Sequence, residues 1–263
     1  MTNTPLAPAK YAVNTVSSPV VPDRIAREDR RPRRILPQMH RYEAVWLTPQ
    51  GHIDDLSRSA PALPAFTDSF AAIARGALIP TDRGDVAIED LLPGDIVRTV
   101  DNGLQTLLWR GSTMITQNSD DDGLNTLTRI AMDALGTGSP VPDLLLGPSA
   151  RLYHRAPALE RATGYCGAYV PARDYTDGNN IASVRPIAPV PVFHLGFAGH
   201  ERITANGVQI ESQTPGLRHA KSLTGDDLDL YLSLFPHKQD LAGFGRMIYP
   251  HLNLHDIDLS NVA

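Results

Sequence analysis

Hydrophobic residues in this chain fall in short alternating runs separated by turn signals, not in the long stripes typical of amphipathic helices. Within residues 76–103, such runs are joined by the turn sequences Asp-Arg-Gly, Pro-Gly-Asp and Asp-Asn-Gly. Val86, Ile88 and Leu91 recur at a spacing close to two residues. Because side chains alternate between the faces of a strand, and glycine supplies the φ > 0 conformation of tight turns, this stretch predicts three short strands in hairpins.

The same alternation of short apolar runs and turn sequences continues as far as residue 211. Further strands, with turns such as Asn206-Gly207 between them, are predicted over residues 104–109, 143–146, 165–170, 194–197, 202–205 and 208–211. Short strands with recurring turns favour a mainly β fold, which we predict to be a curved antiparallel sheet. A C-terminal helix is predicted over residues 226–234, with Thr224 as its cap.

The two ends of the chain differ from this middle part. Residues 1–41 are predicted to be a disordered arm, because they hold little apolar material and carry six arginines between positions 24 and 34. That arginine run could dock on phosphate or an acidic partner, but a solvated linker is the preferred interpretation. Residues 42–68 predict a β-hairpin extension and connector, residues 69–215 the main domain, and residues 216–263 a helical C-terminal extension.

Composition excludes several classes of function. With 263 residues, of which 42% are hydrophobic and 20% charged, the chain has the composition of an ordinary globular protein. Its net charge of −5 gives no global attraction to nucleic acid or anionic membranes. No membrane-spanning apolar stretch and no cleavable signal-peptide pattern is found, so a cytoplasmic location is expected. The sole cysteine, Cys166, excludes an internal disulfide and a multi-cysteine zinc site, and we expect it to pack as a small buried hydrophobe.

Several motifs occur in a fixed order along the middle of the chain. Gly-x-Leu-Ile-x-Thr-x-x-Gly begins at Gly76, and Val-x-Ile-Glu-Asp-Leu-x-Pro-Gly-Asp begins at Val86. Together with residues 107–111, 143–152 and 194–212, they resemble the Hedgehog/intein (Hint) domain family, and more narrowly its bacterial stand-alone type. The resemblance covers roughly residues 70–215. It implies a Hint-like fold built on a curved antiparallel sheet.

The resemblance also implies a chemistry. In Hint domains a Cys or Ser at the first domain position attacks the preceding carbonyl carbon, and a His in the middle of the domain protonates the departing amide nitrogen. Aligned on Gly76, the nucleophile position is Ala72, and a position that often carries a hydroxyl is Ala77. The mid-domain motif puts Ala150 at the histidine position. A methyl group can neither attack a carbonyl nor donate a proton, which indicates a degenerate site without catalytic residues.

Neighbouring residues offer alternatives. Ser69 could act as the nucleophile, with His154 or His194 as the acid. However, Ser69 precedes the family position by three residues, which span roughly 10 Å when extended, whereas a working site needs contacts of about 3 Å. A third hypothesis is a metal-binding tail through His251 and His255, which stand at helical spacing although no amphipathic helix surrounds them.

The preferred interpretation is therefore a Hint-like domain that has lost self-cleavage. It would act as a binding or structural module for an unknown protein partner, without cofactor or metal. The alternative is an autoprocessing domain that uses Ser69. The sequence leaves the oligomeric state open. Intact mass separates the two interpretations, because an active domain would yield fragments cut just before Ser69.

Overall fold

Antiparallel strands make up most of the regular structure, as the recurring turn signals predict. The computed structural model of the chain describes residues 38–117, 125–160, 164–216 and 221–260. Its strands are β1 (Met39–Leu47), β2 (Ile53–Pro61), β3 (Ile73–Ala74), β4 (Leu78–Thr81), β5 (Gly84–Ala87), β6 (Ile96–Thr99), β7 (Gly103–Thr106), β8 (Trp109–Ile115), β9 (Leu127–Ile130), β10 (Leu144–Leu146), β11 (Arg151–Arg155), β12 (Gly167–Pro171), β13 (Ile181–Val184), β14 (Val190–Gly196), β15 (Arg202–Ala205) and β16 (Val208–Glu211).

Within the described ranges, these strands form three sheets. The largest has eight strands in the order β13-β9-β10-β3-β14-β8-β1-β2, and two smaller sheets have the orders β12-β11-β16-β15 and β5-β4-β6-β7. The pairings between these strands are antiparallel. The prediction of a mainly β, antiparallel fold is confirmed. The strand predicted from Val86, Ile88 and Leu91 is only partly correct. β5 ends at Ala87, and Ile88–Asp90 forms a 3₁₀ turn; Ile88 and Leu91 are both buried.

The helices are short: α1 (Pro64–Thr67), α2 (Asp226–Leu232) and α3 (Leu254–Ser260). The predicted C-terminal helix is α2, but Thr224 does not cap it. The N-cap is Gly225, whose φ of 55° is a conformation that glycine adopts without strain, and no side chain bonds to the first turn. Among the helices of the described ranges, none is long and apolar enough to cross a membrane.

The predicted N-terminal hairpin is formed by β1 and β2 and belongs to the largest sheet. Its turn contains Gly51 at a φ of 83°, the left-handed conformation that a tight turn of this kind requires. β1 begins at Met39, ahead of the predicted start at Tyr42, and its other edge pairs with β8. The hairpin is therefore built into the main fold. Of the arm predicted over residues 1–41, residues 1–37 lie outside the described residues.

Both ends of the described chain contribute side chains to a buried cluster. We name its rings the aromatic cluster: Tyr42, Phe66, Phe70, Trp109, Tyr231 and Phe235. Phe70 meets Trp109 edge-on, with ring centroids 5.2 Å apart. The indole nitrogen of Trp109 donates to the Leu234 carbonyl at 3.0 Å. Each fully buried large apolar side chain contributes about 1.5–3 kcal/mol. α1 and α2 are thus held against the N-terminal hairpin and β8, which both belong to the largest sheet.

Cys166 differs from its prediction. Its side chain is exposed, and its Sγ lies 3.6 Å from the Tyr153 hydroxyl. The expectation of a small buried hydrophobe is wrong, because residue 166 precedes β12 by one position and lies at the surface, whereas the strand itself is buried from Gly167 onwards.

Candidate functional site

The peptide bond between Ala71 and Ala72 lies inside the largest sheet. β3 follows it immediately and pairs with β10 on one side and with β14 on the other. Since apolar side chains surround this strand, Ala71 and Ala72 are each only 1% exposed. The position predicted for a nucleophile is a buried methyl group.

A loop that follows β10 closes on this peptide bond. The Gly147 N–H donates to the Ala72 carbonyl at 2.7 Å, and the Ser149 N–H donates to the Ala71 carbonyl at 3.1 Å. Glycine is required at position 147, because a Cβ there would lie 2.1 Å from the Ala71 carbonyl oxygen. A backbone N–H directed at a carbonyl oxygen stabilises the negative charge that develops there in acyl transfer. The loop therefore holds two successive carbonyls at this peptide bond.

Ala150, the predicted histidine position, ends this loop. It is 1% exposed. Its N–H donates to the Gly147 carbonyl at 3.2 Å, and its carbonyl accepts from the Ala172 N–H at 2.9 Å. Ala72 and Ala150 belong to the same apolar cluster. The structure thus brings the segments that hold Ala72 and Ala150 together, since the Gly147 N–H bonds to the Ala72 carbonyl and both alanines lie in one apolar cluster.

Ser69, the alternative nucleophile, lies in the turn after α1 and is buried. Its hydroxyl oxygen lies 3.0 Å from the Ala65 carbonyl oxygen and 2.8 Å from the Tyr231 hydroxyl. The Tyr231 hydroxyl in turn accepts from the side-chain amide of Gln213 at 3.4 Å. The Ser69 hydroxyl thus links the start of the main domain to α2.

The two histidines considered as acids have different surroundings. His154 lies on β11, with its Nδ1 2.8 Å from the Tyr175 hydroxyl. His194 lies on β14, is 5% exposed and faces the backbone carbonyls of Glu211 and Ser69. Burial lowers the pKa of His194 to about 4, although the nearby Glu211 carboxylate acts in the opposite direction. His194 is therefore close to the Ser69 backbone, and its ring is uncharged at neutral pH.

Three ionisable side chains surround Glu211, which lies at the end of β16. The sequence did not predict this group. We name it the Glu211 cluster: Glu211, His200, His251 and Arg151. Oε1 of Glu211 lies 2.6 Å from His251 Nε2 and 3.0 Å from His200 Nε2, and Oε2 lies 4.0 Å from Arg151 Nε. Burial raises the pKa of the Glu211 carboxyl, but the two histidines together outweigh it and hold the pKa well below its usual range. The one feature of the sequence that could have indicated this cluster is the position of Glu211 at the end of a predicted strand.

One hydrogen bond shows which nitrogen of His200 carries a proton. Its Nδ1 accepts from the Ile248 N–H at 3.1 Å, so a ring proton is on Nε2, which lies 3.0 Å from Glu211 Oε1. A nitrogen that carries a proton cannot ligate a metal. Across the part of the chain that the structure describes, no group of three or more His, Cys, Asp or Glu is arranged to hold a metal ion. Of the two histidines considered for a metal, His251 contacts Glu211, whereas His255 is exposed on α3.

One family of known proteins matches more than half of this chain. The family described as "Hint domain" matches residues 71–217. Among solved structures, the chain is similar to the bacterial intein-like domain from Clostridium thermocellum, with 15% identity, a TM-score of 0.38, and coverage of 55% of this chain and 100% of that chain. It is also similar to a splice-inactive variant of the AceL NrdHF class 3 split intein, with 12% identity, a TM-score of 0.38, and coverage of 55% and 99%. No curated protein matches.

Proposed function

This chain belongs to the Hint domain family, and we propose that it keeps the fold of that family without self-cleavage and acts as a binding or structural module for another protein. The observation that carries this proposal is the arrangement at the 71–72 peptide bond. There, the N–H groups of Gly147 and Ser149 hold two successive carbonyls, while methyl groups occupy positions 72 and 150. The chain presents a peptide bond to the loop and lacks the groups that would break it.

Cleavage by the family route needs two groups at this bond. A nucleophile must bond to the Ala71 carbonyl carbon, and a proton must reach the Ala72 nitrogen, so that the C–N bond between them breaks. Neither Ala72 nor Ala150 supplies such a group. His194 does not replace the missing acid, because with a pKa of about 4 its ring is neutral and a poor proton donor at neutral pH.

The residues before this peptide bond support a structural role. β1 pairs with β8 of the main domain, and Phe66 and Phe70 lie in the aromatic cluster with Trp109 and Tyr231. A cut between residues 71 and 72 would leave the two pieces bound through these contacts, so it would not release a separate N-terminal protein. An intact chain is the form that this packing favours.

A second candidate function is self-cleavage through Ser69, which would break the 68–69 bond. One observation favours it: Ser69 and His194 are both buried, and His194 faces the Ser69 backbone. Two observations oppose it. The Ser69 hydroxyl is already bonded to Ala65 and Tyr231, and His194 is neutral. Self-cleavage is therefore the weaker of the two candidates.

Intact mass under denaturing conditions tests both functions. We expect a single species of full-length mass after days at neutral pH, with or without dithiothreitol. Denaturing conditions are essential, because cut pieces would stay together in the folded state. A fragment that begins at Ser69 would establish the alternative, and Ser69→Ala should then abolish it.

Restoring the missing groups tests the geometry. In the double variant Ala72→Cys/Ala150→His we expect thiol-dependent cleavage before residue 72, because the loop already holds the 71–72 peptide bond. Rescue should be partial, since Ala77 lacks the hydroxyl of the family pattern. Each single variant should stay intact, because nucleophile and acid act as a unit.

The matched control moves the nucleophile by one residue. Ala71→Cys/Ala150→His carries the same two groups but aims the thiol at the preceding peptide bond, so it should stay intact. If the Ala72→Cys/Ala150→His protein folds and still shows no cleavage with dithiothreitol or hydroxylamine over days, the assignment of these two positions is wrong.

A further inference from the structure

The C-terminal segment of residues 248–252 lies along the free edge of β12, the outer strand of its sheet. The Tyr169 N–H donates to the Pro250 carbonyl at 2.8 Å, and the Leu252 N–H donates to the Tyr169 carbonyl at 3.1 Å. The segment runs parallel to β12 at this bridge. Adding an extended segment to a sheet edge is a recurring mode of peptide recognition, in which main-chain bonds give affinity and side-chain pockets give specificity.

Tyr249 enters an aromatic pocket beside this edge. Its ring centroid lies 4.8 Å from that of Tyr153 and 5.7 Å from that of Tyr169. The Arg202 guanidinium lies 5.2 Å from the Tyr249 ring and 4.1 Å from the Tyr153 ring. Asp101 fixes this guanidinium through a contact of 2.6 Å. A pocket with tyrosine walls and an immobilised cation favours a flat aromatic side chain.

His251 enters the Glu211 cluster, next to this pocket. Its Nε2 lies 2.6 Å from the Glu211 carboxylate, and His200 accepts the Ile248 N–H. Side chains at positions i and i+2 of an extended segment point to the same side, so Tyr249 and His251 can fill neighbouring pockets. Pro250 between them has no N–H to leave unpaired, and its carbonyl is the group that bonds to β12.

We propose that the β12 edge, the tyrosine pocket and Glu211 form a recognition site for an extended aromatic–x–histidine peptide, and that the chain's own residues 249–251 occupy it. Glu211 supplies the selectivity, because a buried carboxylate is costly unless it is paired. A segment without the histidine would leave that carboxylate with fewer partners. The site holds the C-terminal extension on the domain, and it does not depend on whether the 71–72 bond is cleaved.

Hydrogen exchange on the full-length protein tests the docking in place. In His251→Ala we expect the amides of Leu252 and Tyr169 to exchange at least about tenfold faster than in the unchanged chain, because the side chain that contacts the buried Glu211 carboxylate is removed. His255→Ala is the matched control, since His255 is exposed on α3, and it should leave both rates unchanged. Equal protection in the two variants would overturn the proposal.

A free peptide tests whether the site binds this sequence when it is not covalently attached to the domain. The probe is a fluorescent peptide with the sequence of residues 246–257, and the acceptor is the full-length His251→Ala protein, whose own segment competes less strongly. We expect saturable binding that weakens at least about tenfold when the peptide's first histidine is replaced by alanine. Replacing its second histidine should have no effect. Because these changes are made in the peptide, they cannot unfold the protein.

Three outcomes would overturn the proposal. Equal binding of the peptides with and without the first histidine would show that Glu211 does not read it. An absence of saturable binding up to millimolar concentration would show that the edge is not a recognition site. Concentration-dependent dimers of the unchanged chain, lost in His251→Ala, would show that a second copy supplies the occupant.

Discussion

The 71–72 peptide bond and the Glu211 cluster are both buried, yet their chemistry is opposite. At the peptide bond, the N–H groups of residues 147 and 149 hold two carbonyls, and the side chains at positions 72 and 150 are methyl groups. At the Glu211 cluster, one carboxylate meets two histidines and an arginine. Backbone hydrogen bonds and methyl groups thus make up the first region, whereas ionisable side chains gather where the C-terminal segment docks.

The two regions also tolerate change differently. Methyl groups need no partner, so the region around the peptide bond should be sensitive to volume and indifferent to charge. A buried carboxylate needs its partners, so the Glu211 cluster should be sensitive to charge. Four measurements test this contrast between a volume-sensitive and a charge-sensitive region.

The largest effect is expected at the Glu211 cluster. Glu211→Ala should cost about 3–5 kcal/mol of unfolding free energy, because it removes the group that pairs with both histidines and holds the C-terminal segment. Glu43→Ala is the control: Glu43 contacts Arg41 at 3.0 Å but its side chain is 54% exposed, and its loss should cost about 1 kcal/mol or less. Urea unfolding of both variants measures the difference. Similar losses would remove the distinction between the cluster and a surface ion pair.

The region around the peptide bond should respond to added volume. Gly147→Ala puts a Cβ 2.1 Å from a backbone oxygen in a closely packed site, and we expect a loss of about 3 kcal/mol. Gly199→Ala adds the same methyl where no atom lies within 4 Å, so it should change stability by about 0.5 kcal/mol or less. Equal stability of the two variants in the same unfolding assay would mean that the loop is not pressed against the peptide bond.

His194 lies between the two regions and gives stability a pH dependence. Burial lowers its pKa from 6.5 to about 4, so between these pH values the unfolded chain binds a proton that the folded protein does not. Stability therefore falls as the pH drops, with His194 accounting for about 2 kcal/mol between about pH 7.5 and pH 5. His237, whose pKa burial lowers to about 3, adds a loss of the same sign.

His194→Gln isolates its own share. The variant should lose about 2 kcal/mol less than the unchanged chain when urea unfolding is compared at the two pH values, and the share of His237 should remain. An identical pH dependence in the two proteins would show that folding does not lower the pKa of His194. His194 would then be available as an acid after all, which would favour the alternative function.

The sequence predicted those parts of the molecule that local patterns encode. Hairpin turns were readable because glycine and asparagine positions dictate them, and Asn206 and Gly207 do have positive φ. The assignment of Ala72 and Ala150 to the nucleophile and histidine positions of the family stays a prediction. The docking of residues 248–252 on β12 was not readable, because it joins segments that are about 80 residues apart and leaves no local periodicity. The role of Glu211 was missed for the same reason, and His251 was considered only as a metal ligand.

The smallest effect tests the buried link between Ser69 and α2. If the Ser69 hydroxyl serves packing, Ser69→Ala and Tyr231→Phe should each cost about 1 kcal/mol, and the double variant should cost less than their sum by about 0.5–1.5 kcal/mol, because both changes remove the same 2.8 Å hydrogen bond. Tyr231→Phe also removes the acceptor of the Gln213 amide, so it should be the costlier single change. Unfolding free energies of the four proteins give the coupling. Additive losses would mean that the two hydroxyls do not bond to each other, which would remove one of the two hydrogen bonds that oppose the alternative role of Ser69.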